Sequence, residues 1–167
     1  RSCFQERNPV LFCEHALLYS TRGPVPDDYY TVPSGKADVK RQGRHLTLVY
    51  YARGVHTALK AAQELAQRGV EAEVVDLRTL RPLDTEAVVE SVRKTHRCLV
   101  LEEAWSTGAF GTYVGFRVQQ AAFDFLDAPV AHVGGADVPM PYARSLEQLA
   151  LPSEGAVIQA VQEHFGL

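Results

Sequence analysis

The chain is poor in residues that often carry chemistry by themselves: one methionine, one tryptophan and three cysteines in 167 residues. Cys3, Cys13 and Cys98 are odd in number and far apart, and no C-x-x-C pattern joins them. That argues against both a disulfide framework and a cysteine metal site. Cys13 and Cys98 fall in apolar runs and are expected as small core residues of a protein from a reducing compartment. No apolar run approaches the roughly 18 residues of a membrane-crossing helix, so no membrane partner is expected. An excess of positive charge is lacking too. The 17 Lys and Arg against 20 Asp and Glu are scattered rather than blocked, giving a net charge of −3 and no basic patch for nucleic acid. No G-x-S-x-G, H-E-x-x-H or P-loop pattern occurs. The start at Arg1, with Met140 the single methionine, points to a processed protein or a piece of a longer one.

What the chain does have is apolar patterning. Hydrophobic residues make up 46% of it, and a chain of this length buries roughly 70% of its unfolded surface, so it folds without staples. LTLVYY (Leu46–Tyr51), AEVVDL (Ala72–Leu77), CLVLEE (Cys98–Glu103) and APVAHVG (Ala128–Gly134) read as buried strands. Helical spacing separates them. Val55, Leu59, Ala62, Leu65 and Ala66 form one face, stopping at Gly69. Asp84 is placed to cap a second helix holding Val88, Val89 and Val92. Phe110, Val114, Val118, Ala121, Ala122 and Phe125 form a third, and a last helix starts after Pro152–Ser153. Strands alternating with helices predict a three-layer α/β/α domain around a parallel sheet, and continuous apolar strands fit a sheet covered on both faces. The polar, alternating stretch Ala37–His45 adds an antiparallel edge strand, expected to pair with Leu46–Tyr51 and making the sheet five-stranded and mixed.

The first 35 residues fit this domain poorly. NPVLFCEH (Asn8–His15) reads as one more strand, and the Pro- and Gly-rich stretch after it is longer than loops inside compact domains. Residues 1–15 are therefore expected to end a preceding domain, 16–35 to connect, and 36–167 to form the α/β domain.

LVLEEAWSTGAFGTYVGF (Leu99–Phe116) has the strongest chemical look. Glu102 and Glu103 end a strand and a glycine-spaced loop leads into a helix. Three readings stay open on local chemistry. Gly108 and Gly111 could leave backbone N–H groups for a phosphate, though G-x-G-x-x-G is absent. The carboxylates could face the crevice at the strand ends, although adjacent strand residues point to opposite faces. Or the stretch is only a strand turning into a helix. His56 and His132 read as structural histidines, Asp76 and Arg78 as a turn-orienting pair, and Glu14–His15 as a possible polar pair at the end of the leading strand. No complete active site is visible.

Taken in order, NPVLFCEHALLY, VPDDYYTVPSGKADVKRQG, EAEVVDLRTLRPLD, EEAWSTGAFG and FLDAPVAHVGGADVPMPYA resemble the C-terminal half of the E1 β subunit of thiamine-diphosphate-dependent 2-oxo acid dehydrogenases. GADVPMPYA is nearer the pyruvate dehydrogenase type, and EEAWSTGAFG nearer the branched-chain or acetoin type. LRTLRPLD followed by the E-E…G-x-F-G turn is also similar, more loosely, to transketolase and deoxyxylulose-phosphate synthase.

The resemblance implies a transketolase C-terminal fold, with thiamine diphosphate and magnesium held elsewhere in the intact enzyme and no cofactor in this chain. It implies an E1 α subunit, a second E1 β subunit and the subunit-binding domain of the E2 acyltransferase as partners. It also implies E2 docking through Asp127 and the carboxylate of Leu167, and an active-site rim near Glu14 and His15. The thiamine-activating glutamate would lie upstream of Arg1, so this chain alone is expected to be inactive. The compartment would be cytoplasmic in a bacterium and the mitochondrial matrix in a eukaryote. The competing expectations are a transketolase-like C-terminal domain and a stand-alone ligand-binding α/β module using the Glu102–Gly108 crevice.

Overall fold

The computed structural model describes residues 1–167. Five strands form one sheet: β1 (Asp38–Arg41), β2 (Leu46–Tyr50), β3 (Ala72–Asp76), β4 (Cys98–Trp105) and β5 (Ala131–Gly135). Their order is β1-β3-β2-β4-β5, with β1 antiparallel to β3 and the other pairs parallel. Helices α1 (Gly54–Gln67), α2 (Thr85–Thr95), α3 (Phe110–Ala122), α4 (Arg144–Ala150) and α5 (Glu154–Phe165) complete the three layers.

The three central strands β2, β3 and β4 feed two cores, because their side chains alternate between faces. Leu48, Val74, Leu99 and Leu101 pack with Ala58, Leu65, Val157 and Val161 of α1 and α5. Val49, Val75, Cys98 and Val100 pack with Val88, Val92, Val114 and Val118 of α2 and α3. Every residue of β2 is buried, which is why the sequence shows no solvent-facing alternation there. Desolvation pushes the buried Cys98 thiol up to about 12, so it stays protonated and packs as a small hydrophobe.

Helix ends follow side-chain chemistry. The Asp84 carboxylate accepts from the Ala87 N–H at 3.3 Å to start α2, and Ser153 Oγ accepts from the Ala156 N–H at 3.2 Å to start α5. His96 (φ 62°) and Gly166 (φ 66°) end these two helices in the left-handed conformation.

Four expectations are corrected. β1 is an antiparallel edge strand, but its partner is β3, not β2. Both edges of β2 are taken by β3 and β4, and the half-polar β1 can only add outside β3. Asn8–His15 forms no strand: it is extended or bent and mostly exposed, with no ladder partner. Cys13 is exposed there rather than in a core. Finally, α4 was not anticipated; it is short, and of its residues only Ala150 is buried, so it has almost no apolar face to read.

One close approach sets the turn between β1 and β2. The Gly43 N–H donates to Glu73 Oε2 at 3.2 Å, and Lys94 Nζ holds the same buried carboxylate. A Cβ on Gly43 would lie 2.2 Å from the backbone of Ala72 and Glu73. Gly43→Ala should therefore cost about 1–3 kcal/mol through overpacking. Urea unfolding followed by circular dichroism should show a lower midpoint, and an unchanged midpoint would mean that the turn moves aside freely.

Candidate functional site

The carboxyl ends of β2 and β4 carry the polar residues singled out above. Because β2 is flanked by β3 on one side and β4 on the other, the chain changes direction between β2 and β4, the place where such sheets commonly form a crevice. The pleat sends Glu102 and Glu103 to opposite sides of β4.

Glu102 is fully buried. Its carboxylate accepts from Tyr51 Oη at 2.9 Å, from the Gly111 N–H at 2.8 Å and from His132 Nε2 at 2.6 Å. A carboxylate only accepts, so His132 Nε2 carries the proton and Nδ1 is left to accept from Ser106 Oγ at 3.3 Å. Burial by itself would raise the Glu102 pKa, but the hydrogen bonds from His132, Gly111 and Tyr51 outweigh it and hold the carboxyl below its ordinary range. The same bond raises the Tyr51 phenol, after desolvation, the larger cause. Gly111 is a glycine for a reason of space: a Cβ there would stand 2.3 Å from Glu102 Oε1.

Glu103 faces the other way. Its Oε1 accepts from Arg53 at 3.3 Å and its Oε2 lies 3.2 Å from His15 Nε2. Tyr50, Tyr51 and Arg53 join them around a crevice of about 140 Å³. His15 supplies the one hydrogen bond that ties residues 1–34 to the sheet; the others of this segment stay within it, among them Tyr19 Oη to Glu14 at 2.7 Å.

This arrangement is a cross-tie. The Gly111 N–H that a phosphate cradle would need is bonded to Glu102, and Glu102 ties β4 to the end of β2, to β5 and to α3 through three donors. The phosphate reading is therefore not supported. His132 was read as a lone structural histidine; its pairing with Glu102 escaped sequence reasoning because 30 residues separate them. The one local signal was Gly111, nine positions after Glu102 at the start of a helix. Asp76 and Arg78 do orient a turn: the Arg78 N–H donates to Asp76 at 3.0 Å, and its guanidinium reaches Asp38 at 2.5 Å. His56 lies exposed in the first turn of α1.

Asp127 and Leu167 lie away from this crevice. Asp127 precedes β5, its N–H donates to the His96 carbonyl at 2.9 Å, and its half-exposed carboxylate pairs with Arg97 at 3.1 Å. Both contacts are with residues just before β4, at the amino edge of the sheet. The Leu167 side chain packs on the α1–α5 core at the end of α5. Ala150, just before α5, accepts from the Ala136 N–H at the carboxyl end of β5, and α5 then packs against β5 and α1.

Glu102→Ala would leave a buried imidazole, a phenol and an N–H without an acceptor, at an expected cost of about 3–5 kcal/mol. The pH dependence has a definite sign. A carboxyl whose folded pKa is lowered adds stability that is complete above its unfolded value and is lost as pH falls through the folded one. Stability should therefore decline below the ordinary value of 4.5, and Glu102→Gln should flatten that decline. Thermal melts from pH 6 to pH 3 test this, and parallel curves for the two proteins would reject it.

Comparison with known proteins places this geometry. The family model described as transketolase, C-terminal domain, matches residues 35–157. The pyruvate dehydrogenase E1 component subunit beta of Rhizobium meliloti is 45% identical over 163 residues, covering 97% of this chain and 35% of the relative. The acetoin:2,6-dichlorophenolindophenol oxidoreductase subunit beta of Bacillus subtilis is 39% identical, covering 99% of this chain and 48% of the relative. The chain thus spans half or less of the curated relatives it matches. Among solved structures, a split-gene transketolase described as an inactive beta4 tetramer superposes with a TM-score of 0.69 at 29% identity, covering 88% of this chain and 46% of that one. With the mixed five-stranded sheet and the family match over most of its length, the chain belongs to the transketolase C-terminal domain family.

Proposed function

We propose that this chain is the C-terminal assembly and docking domain of an E1 β subunit. The intact enzyme would oxidatively decarboxylate a 2-oxo acid, pyruvate first, on thiamine diphosphate and pass the acyl group to the lipoyl arm of E2. The observation that carries this reading is the 45% identity with a pyruvate dehydrogenase E1 β subunit over 97% of the chain. The acetoin-type relative leaves the acyl substrate class as the finer part of the proposal.

The residues here do not make a thiamine diphosphate site. Glu102 is already bonded by three donors, and Glu103 by Arg53 and His15, so neither is a free acid for the cofactor ring. No group of three His, Cys, Asp or Glu is gathered to hold magnesium. On this reading the cofactor and its metal sit in the rest of the intact enzyme, and Glu14 and His15 would stand at most on its rim. What the domain contributes is surface. Phe116, Phe123, Met140, Tyr142 and Leu149 are exposed, an apolar stock suited to contacts with an E1 α subunit and a second E1 β subunit. Docking to the E2 subunit-binding domain would use Asp127 and the Leu167 carboxylate. A basic partner competes with Arg97 for Asp127, which favours a tunable contact over a permanent one. The compartment on this reading is the bacterial cytoplasm or the mitochondrial matrix.

Two measurements test the proposal. Titration calorimetry of the isolated chain with thiamine diphosphate and magnesium should give no saturable heat, and a dissociation constant near micromolar would overturn the division of labour. Surface plasmon resonance of the assembled α and β subunits on a cognate subunit-binding domain should show Asp127→Ala weakening binding a few-fold. Exposed pairs contribute about 0.2–1 kcal/mol, and desolvated ones cost roughly 2–5 kcal/mol when truncated. Deleting Leu167 moves the terminal carboxylate by about 3.5 Å and should weaken binding comparably. Rising salt should weaken the unmutated pair. Unchanged affinity in both variants, without salt dependence, would remove docking from these residues.

A further inference from the structure

A second, larger cleft lies at the carboxyl ends of the strands on the α2–α3 side of the sheet, between the turn after β3 and the first turns of α3. Its volume is about 450 Å³, within the roughly 300–1,000 Å³ of small-molecule sites. Leu80, Pro82, Leu83 and Phe110 give it apolar walls, and Arg81 and Arg117 bring two guanidinium groups to it. No carboxylate lines it.

Three other arginines at the sheet ends are held by carboxylates. Arg53 holds Glu103, Arg78 holds Asp38 and Arg97 holds Asp127. Arg81 makes no hydrogen bond or ion pair, and Arg117 bonds only a neutral phenol, donating from Nη1 to Tyr113 Oη at 2.8 Å. The Arg117 guanidinium also stands 5.8 Å from the Tyr113 ring centroid, which holds its fork in place before a ligand arrives. Two uncompensated cations over apolar walls attract an anion and reward a hydrophobic body behind it.

We propose that this cleft binds a small organic anion, with a carboxylate or phosphate head between Arg81 and Arg117 and an apolar body against Leu80, Pro82 and Phe110. The site lies within the domain itself and does not depend on the subunit assembly proposed above.

The test is an NMR titration of the full 167-residue chain with benzoate and with phenyl phosphate. Both should give saturable shifts at the amides of Leu80–Thr85 and Phe110–Tyr113, with dissociation constants between about 0.1 and 5 mM. A preference between the two identifies the head as carboxylate or phosphate. Inorganic phosphate, a head without a body, and benzyl alcohol, a body without a head, should each bind at least about fivefold more weakly. Arg81→Gln and Arg117→Gln should each weaken the better ligand about tenfold, whereas Arg68→Gln at the end of α1 should not change it. Arg117 is exposed on a helix, so its variant keeps the test intact if Arg81→Gln disturbs its turn. The proposal fails if neither probe saturates, if inorganic phosphate or benzyl alcohol binds as well as the probes, or if Arg68→Gln weakens binding as much as Arg117→Gln.

Discussion

The carboxyl end of this domain is organised around one buried carboxylate. Glu102 has no exposure to water, and a bare charge in that position would cost several kcal/mol. Its cost is offset by three donors from three different elements: the Tyr51 phenol after β2, the His132 imidazole on β5 and the Gly111 N–H opening α3. Remove any of them and the others are left with a charge they cannot fully satisfy. The loops at this end therefore inherit their positions from Glu102. That includes the direction of α3, whose first residues form one wall of the larger cleft.

A second buried acid does similar work at the opposite edge. Glu73 on β3 is held by Lys94 of α2 and the Gly43 N–H of the β1–β2 turn. Glu73 and Glu102 are thus both buried within strands, each answered from a helix and a loop. Between them the sheet is apolar on both faces except for Thr47, which bonds Ser91 and Thr95 of α2. Hydrophobic burial supplies most of the stabilisation, but it is indifferent to which strand neighbours which. The two acids act only when β2, β3, β4 and β5 are in the observed register, so they add specificity to what burial makes stable.

This division explains what could be read in advance. The four parallel strands and four of the helices were legible because burial writes itself as continuous apolar runs and helical spacing, and because Asp84 and Ser153 are capping residues by type. The partner of β1 was not legible, since pairing is decided by which sheet edge remains open. The Asn8–His15 run lies outside the sheet and makes no strand in this chain, because an apolar β-rich stretch forms one only where a ladder exists to receive it. The Glu102–His132 tie was hidden for a different reason: a contact across 30 residues leaves no local pattern, and histidine on a strand looks the same whether or not it meets an acid. The resemblance of whole segments supplied the family where local chemistry supplied no active site.

The two ends of the sheet also differ in what they leave free. At the carboxyl end, Glu102 and Glu103 are engaged by their partners, while Arg81 and Arg117 remain without carboxylates. At the amino edge Asp127 is half-exposed on a single arginine. The Arg81–Arg117 cleft and the Asp127 corner thus present opposite charge at opposite ends of the sheet, and oppositely charged partners would meet them from opposite sides. On the proposed reading, the anionic edge faces a basic docking domain, and the cationic cleft, lying across the sheet, stays clear of that contact. The two surfaces can then be occupied independently. Because each sits at the end of the same rigid strands, a ligand in one has only the register of the sheet through which to act on the other, and the buried acids fix that register.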